Sequence, residues 1–517
     1  MLDLLIVIAY FLIIFLVALT GRQKNEETSV DAYFLSSRNL RWPSIALSTI
    51  ATNVQGYQFL GMMGSAYLYG IAQASLEINA VQGILLAAFF FVPIYLKERV
   101  VTITQFIEKK VGKTVSRIYS IANISLFSTI TLGAALFWGA YAAEWVFSDF
   151  LLFLHETRIM RIAFLLIGLG VFSAIYTYLG GLAAVVKTDV IQFLILVGGG
   201  IIITVLIVHE LGGWSELYRK TPELMRLHLP SDHPTLPWTH MLGLFFLNIN
   251  YWCANQTIMQ RSLAARSLAE AQKGLMVGGV LKYLMAVIIV VPGVALAGIL
   301  GSDNALADPD QVFPYVVSNY LSTGIKGLVL CALFASLMST VDSTFNSIAT
   351  LWSVDIYKGW MRPAANETDM VKQGRRAIII TLISGVTMGL ILLYLKFENP
   401  EAAFTHTLNE LRYFINCGIV VLICSVLFFA SPKRSSVLMG FLITVPLQFV
   451  VLASFPEMNY FVRAFVVIFS GLLYVFIRNI GREVSPLRSI ISQQSQTTKI
   501  EGTLLLLSLF LLHFLFH

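Results

Sequence analysis

Ala51-Thr52-Asn53-Val54-Gln55-Gly56-Tyr57-Gln58-Phe59-Leu60-Gly61 and Asn248-Ile249-Asn250-Tyr251-Trp252-Cys253-Ala254-Asn255-Gln256 place amides and small residues in the middle of two otherwise apolar stretches. In hydrocarbon, a helix backbone opens only where it faces protein or water. The two stretches fall in the second and seventh of about fourteen apolar spans, five spans apart. If they are corresponding helices of two five-span units, the odd number turns the second unit upside down. That is the inverted-repeat plan of many secondary transporters, with the first helix of each repeat broken and the solute held at the breaks. The alternative is that the amides only join neighbouring helices, at about 0.6 kcal/mol per hydrogen bond. It accounts for one such cluster more easily than for two at matching positions.

The rest of the chain agrees with a membrane bundle. Of 517 residues, 57% are apolar and 12% charged, against about 25% charged in soluble domains. Stretches of roughly 20 apolar residues, enough to cross about 30 Å as helix, recur near 2–19, 43–68, 77–96, 118–147, 160–180, 188–208, 239–260, 275–300, 312–353, 375–395, 402–430, 435–454, 460–477 and 500–517. The expected organisation is an extra N-terminal helix and cytoplasmic loop (1–42), a first five-helix repeat (43–208), an extracellular loop (209–238), a second, inverted repeat (239–430) and peripheral C-terminal helices (431–517). The first span opens on Met1-Leu2-Asp3 without a basic region or a small-residue cleavage site, so it reads as a retained span and not a secretory signal.

The net charge of +6 matters less than its distribution. Lys and Arg crowd the loops after odd-numbered spans, as in Arg38 and Arg41, Lys109 and Lys110, Arg261 and Lys273, Lys358 and Arg362, and Arg478 and Lys499. The positive-inside rule then puts these loops in the cytoplasm and both termini outside the cell membrane. The basic balance is thus no nucleic-acid footprint, and no obligate protein partner is evident. Cys253, Cys331, Cys417 and Cys424 lie inside apolar spans and read as core residues. No histidine cluster, metal spacing or nucleophile motif marks an enzyme; His209, His228, His233 and His240 fall in the long outer loop and read as surface residues.

Ser336, Ser339 and Thr340, at i, i+3 and i+4, form one hydroxylated stripe on the ninth span. Hydroxyls and unwound carbonyls are the hard oxygens that a dehydrated sodium ion requires; the alternative use of such residues is close helix packing. Glu77 and Lys282 are ionisable groups inside spans, where each costs about 2.5–3.5 kcal/mol at midplane and marks function by default. Glu77 lies near the outer end of its span, so snorkelling to water is its alternative.

Tyr251-Trp252-Cys253-Ala254-Asn255-Gln256, followed by Gln260-Arg261-Ser262-Leu263-Ala264-Ala265 and Ala269-Glu270-Ala271-Gln272-Lys273-Gly274, resembles the central signature of the sodium/solute symporter family, in its sodium/glucose cotransporter branch. Asp31-Ala32-Tyr33-Phe34-Leu35, Thr102-Ile103-Thr104-Gln105-Phe106, Tyr178-Leu179-Gly180-Gly181-Leu182, Thr188-Asp189-Val190-Ile191-Gln192 and Asp355-Ile356-Tyr357-Lys358 agree in order. The resemblance runs from about residue 30 to about residue 435. It implies an all-α membrane protein of the LeuT-type 5+5 inverted repeat, which symports a small polar solute, foremost a sugar or related polyol, with Na+ by alternating access.

The resemblance also implies roles for individual residues. Ser339 and Thr340 hydroxyls, with the carbonyls of Ala51, Val54 and Ser336, would bind sodium. Asn53, Gln58, Glu77, Asn248, Lys282 and Asn409 match solute-contact positions, Met62 an outer gate and Tyr251 an inner gate. Asp189 matches a position tied to a second sodium in some members, and Asp342 replaces a hydroxyl there; the alternative for Asp189 is pairing with Lys187 or a loop arginine. Several positions depart from the sugar-binding pattern: Thr131 for an asparagine, Ala80 for a serine, and Leu76 and Thr405 for aromatics. Arg412, three residues past Asn409, would favour an acidic solute such as a sugar acid if it reaches the cavity, and a neutral one if it pairs with Glu410. Another carboxylate solute, or a sodium-gated sensor or channel on the same scaffold, are the rival functions.

Overall fold

The computed structural model of the chain describes residues 2–20, 29–56, 58–301, 306, 308–398 and 404–516, and the side chains of all these except 149 and 404–409. Among the described residues the protein is all helical, with isolated bridges and no strand. Eleven helical stretches among the described residues are long and apolar enough to cross a membrane, fewer than the roughly fourteen spans expected. Fusion accounts for part of the difference. Arg158–Leu211 is one 54-residue element that contains the expected fifth and sixth spans. Straight, it would run about 80 Å at 1.5 Å per residue, far beyond a bilayer. It turns at Gly181, whose φ of 52° and ψ of −149° lie outside the helical region. A side chain is excluded there as well, since a Cβ would come within 2.3 Å of the Tyr33 carbonyl.

The ninth expected span, 312–353, is corrected into two helices, Val312–Tyr320 and Ile325–Leu351, parted by residues 321–324 with Gly324 at φ 91°. The longer one continues into a π-helical segment, Trp352–Met361. It is the centre of the bundle: its best apolar window is 94% buried, against 28% for the first helix and 22% for the last. Its run of Ala, Ser, Thr and Cys explains this, because small side chains let neighbouring backbones approach closely where lipid supplies no hydrophobic drive.

Both interrupted spans are broken where the polar residues lie. The second span runs as Trp42–Asn53, leaves helical geometry at Val54 (φ −75°, ψ 102°) and resumes from Gln58 as a π-helical turn followed by Met63–Tyr69. The seventh runs as His240–Ile249 and a π-helical turn, Asn250–Ala254, then leaves helical geometry at Asn255 (φ −84°, ψ 114°) and resumes as Gln256–Leu263. The two breaks therefore share the same extended backbone. Their freed carbonyls are satisfied differently. Tyr95 and Tyr119 donate to the carbonyls of Cys253 and Ala254 at 2.9 and 2.5 Å. At the second-span break the donors are hydroxyls of the ninth span.

The four cysteines are buried and unbridged. The outer-loop histidines need correction. His240 is 1% exposed and meets the Ser75 hydroxyl at 2.9 Å, His228 stacks on His513 of the last helix, and His209 belongs to the last turn of Arg158–Leu211.

Candidate functional site

Two polar clusters meet the second-span break from different sides. The first is built on its N-terminal half and the ninth span. Ser336 Oγ donates to the Val54 carbonyl at 2.7 Å, and Thr340 Oγ1 to the carbonyls of Thr52 and Ser336 at 3.3 and 3.2 Å. The stripe thus faces the break, and Ser336, Ser339, Thr340, Ala51 and Val54 are all buried. Its oxygens are the hard, uncharged donors that suit a monovalent cation.

Asp189 joins this cluster directly, accepting from Ser339 Oγ at 2.5 Å and from Ser48 Oγ. It also pairs with Arg261, Nη2 to Oδ2 at 3.1 Å. Arg261 is fully buried, and its remaining donors reach Ser48 at 3.0 Å, Thr52 at 2.9 Å, Ser343 and the Thr257 carbonyl. Of the partners considered for Asp189, the arginine is therefore the one present, while Lys187 reaches the Thr20 carbonyl. Asp342 accepts from Ser173 and Tyr176 of the fifth span.

The second cluster lies beyond the break. Gln58 Nε2 donates to Glu77 Oε1 at 2.7 Å, and Lys282 Nζ donates to Asn53 Oδ1 at 2.6 Å and forms an ion pair with Glu77. Glu77 is 3% and Lys282 1% exposed, so the carboxylate is paired in the interior and does not snorkel. Removed from water, the pair is tenable because each charge neutralises the other and the two amides fill remaining hydrogen-bond positions. Trp252 supplies a ring 6.0 Å from Lys282 Nζ. Carboxylate, ammonium and two amides offer both acceptors and donors to a hydroxylated solute.

Four of the expected solute residues are thus brought together. Asn248 lies apart from these bonds, donating to the Asn79 carbonyl at 3.0 Å between the seventh and third spans. Asn409 and Thr405 lie outside the described side chains. Met62 is buried, and the half-buried Tyr251 packs its ring 5.4 Å from that of Trp252. Glu410 pairs with Arg463 of the thirteenth span. Arg261, Ser48, Thr52 and Ser343 were not anticipated at the ion cluster. The spacing of Ser48 and Thr52, four residues apart on the same helix as the break, was the available signal.

A helical membrane bundle whose first broken helix faces a hydroxylated helix on one side and a buried carboxylate–ammonium pair on the other has the build of a secondary transporter. The chain belongs to the sodium:solute symporter family, whose model matches residues 33–444. It is a transporter and not an enzyme, and sodium is its coupling ion. Similar proteins include a sodium/glucose cotransporter of Vibrio parahaemolyticus, 31% identical over 86% of this chain and 84% of that one. Sodium/glucose cotransporter 1 of Oryctolagus cuniculus is 30% identical over 72% of this chain and 60% of its own length. Sodium/myo-inositol cotransporter 2 of Homo sapiens is 28% identical over 74% and 60%. The chain thus spans less than two thirds of these mammalian relatives. A solved structure of a Na+-coupled sialic acid symporter, substrate-bound and outward-open, aligns with a TM-score of 0.79 at 19% identity, over 94% of this chain and 99% of that one. The fold is accordingly the LeuT-type inverted repeat.

Proposed function

We propose that the chain carries a sugar or related polyol into the cell with sodium, by alternating access of a site between the broken helices. The observation that carries this reading is the Glu77–Lys282 pair held by Gln58 and Asn53. It presents fixed donors and acceptors with no net charge, which matches the many hydroxyls of an uncharged polyol. The names of the glucose and myo-inositol carrying relatives support it. Sodium binds between the second-span break and the ninth span, at Ala51, Val54, Ser336, Ser339 and Thr340, one side of the break from the solute. The same short unwound segment therefore feels both ligands, which is how binding of one favours binding of the other. Asp189 and Asp342 serve a second sodium, Met62 and Tyr251 close over the solute, and residues 43–208 and 239–430 are the two repeats. Both termini lie outside the cell, where the sparsely basic loops also face.

An acidic solute is the second reading. Arg412, three residues past Asn409, favours it if its side chain reaches the cavity. Uptake of labelled sugars, inositol and sugar acids into proteoliposomes, with inward sodium or potassium gradients, separates the readings. Sodium-dependent uptake of a neutral polyol is expected. Uptake of sugar acids alone would replace the first reading by the second, and sodium-evoked current without solute flux would favour a sensor or channel.

A further inference from the structure

Away from the transport site, a cavity of about 440 Å³ opens toward lipid between the eighth span, Leu268–Leu300, and the last, Gln496–Leu515. Its walls are apolar: Met276, Val277 and Val280 on one side, Leu504 and Leu505 on the other. The two helices run the same way, and one end of the groove is closed. There Tyr283 Oη meets Ser508 Oγ at 3.0 Å, and Leu505 packs onto Gly279 so closely that a Cβ would fall 2.5 Å from its Cδ2. The open end carries Lys273 and Glu501.

These two opposite charges form no ion pair with each other or with any other described residue. Lys273 Nζ sits 4.9 Å over the ring of Trp42, an aromatic of the kind that marks the membrane–water interface. From Lys273 to Tyr283 the helix rises about 15 Å, half of a hydrocarbon core of about 30 Å. The groove is therefore as deep as one leaflet, apolar along its length, and headed by one cation and one anion at the interface.

We propose that this groove is a binding site for a glycerophospholipid with a primary ammonium headgroup, that is, a phosphatidylethanolamine. One acyl chain lies along Val280 and Leu504, the phosphate meets Lys273, and the ammonium donates to Glu501. Charge complementarity selects this lipid among the common classes. An anionic headgroup satisfies Lys273 but confronts Glu501, and a trimethylated ammonium has no N–H to donate to the carboxylate. By the positive-inside rule the leaflet is the cytoplasmic one, since Lys273, Lys358 and Lys499 lie on the basic side. The site is independent of which solute is carried.

The test is native mass spectrometry of the full chain, delipidated in mild detergent and offered phosphatidylethanolamine, phosphatidylcholine and phosphatidylglycerol with identical acyl chains. Phosphatidylethanolamine is expected to be retained roughly fivefold or more over the other two. Glu501→Gln should erase that preference, and Lys273→Ala should lower retention of every phospholipid. Val280→Trp, at a position 58% exposed to lipid, should fill the groove and abolish the retained lipid while the protein stays monodisperse. Equal retention of the three lipids by the unaltered chain, or an unchanged preference in Glu501→Gln, would overturn the proposal. If Val280→Trp proves misfolded, the two charge variants decide alone.

Discussion

Arg261 and Asp189 form an ion pair, 3.1 Å between Nη2 and Oδ2, with neither side chain exposed. Each partner comes from a different part of the chain: Arg261 from the short helix after the seventh-span break, Asp189 from the sixth span. Removing one partner of such a pair leaves an uncompensated buried charge and costs about 3–5 kcal/mol, whereas removing both is far milder. Arg261→Met is therefore expected to lower the thermal unfolding temperature strongly, and Asp189→Asn/Arg261→Met to recover most of the loss. A double variant as unstable as the sum of the single ones would show that the pair is not coupled.

Thr340→Ala, and less strongly Ser339→Ala, should weaken the sodium dependence of uptake while the protein still folds and inserts. Thr340 Oγ1 lies 3.2 Å from the Ser336 carbonyl and 3.3 Å from that of Thr52, so its loss removes an oxygen between the two elements that face each other across the break. Ser339 is committed to Asp189, which is why its effect is smaller. Sodium titrations of uptake check this; an unchanged half-saturating sodium concentration in both variants would remove these hydroxyls from the ion site.

Gln58→Ala and Glu77→Gln should abolish solute binding and leave sodium binding to the empty carrier. Gln58 reaches Glu77, and Glu77 holds Lys282, so each change disorders the donors and acceptors offered to a polyol. Glu77→Gln also strands a buried ammonium, and Lys282→Met in the same chain should restore stability without restoring transport. Ligand-induced thermal shifts measure both ions and solutes in one format, because only ligands of the folded state stabilise it. Solute affinity within about twofold of the parent, under ~0.5 kcal/mol, would place the cavity elsewhere.

The breaks, the stripe and the buried ionisable pair were legible because each violates the rule for its surroundings: amides, hydroxyls or charges where lipid demands apolar side chains. Helix ends were less so. Gly181 and Gly324 fall within stretches of continuous hydropathy, and nothing in composition separates a turn within the bundle from an unbroken helix, so one long element was divided correctly and 312–353 was wrongly joined. Arg261 reads as a loop cation because its nearest neighbours in sequence are polar; its side-chain partners lie 72 to 213 residues away. Three-dimensional convergence of that kind has no periodicity to betray it. His240 was misjudged for the same reason, its partner Ser75 standing 165 residues earlier.

Gly181→Ala tests the turn that folds the fifth span onto the sixth. A φ of 52° with ψ of −149° is essentially a glycine-only conformation, costing about 1–3 kcal/mol for other residues, and the new Cβ would also strike the Tyr33 carbonyl. Reduced yield of folded protein and a lower unfolding temperature are expected. An unfolding temperature equal to that of the parent would mean that the backbone there relaxes freely.

The last expectation concerns ion stoichiometry. Around Ser339 the described buried side chains include two carboxylates, Asp189 and Asp342, and one guanidinium, Arg261. Arg261 offsets one negative charge, and Asp342 accepts from the hydroxyls of Ser173 and Tyr176. The three groups sum to one negative charge, which a cation near Asp189 and Asp342 would neutralise, while a cation at the break would be held by uncharged oxygens. A potential of ~100 mV contributes about 2.3 kcal/mol per charge, and a roughly tenfold sodium gradient adds about 1.4 kcal/mol. One sodium then sustains roughly 500-fold accumulation of a neutral solute, and two sustain roughly the square of that. Sodium activation of uptake is expected to show a Hill coefficient above one, with two charges moved per solute in reconstituted vesicles. Asp189→Asn should bring the coefficient to one and halve the charge per solute, since it removes the carboxylate that links Ser339 to the rest of the cluster. A hyperbolic sodium dependence in the parent, with one charge per solute, would leave a single ion site and return Asp189 and Asp342 to holding helices together.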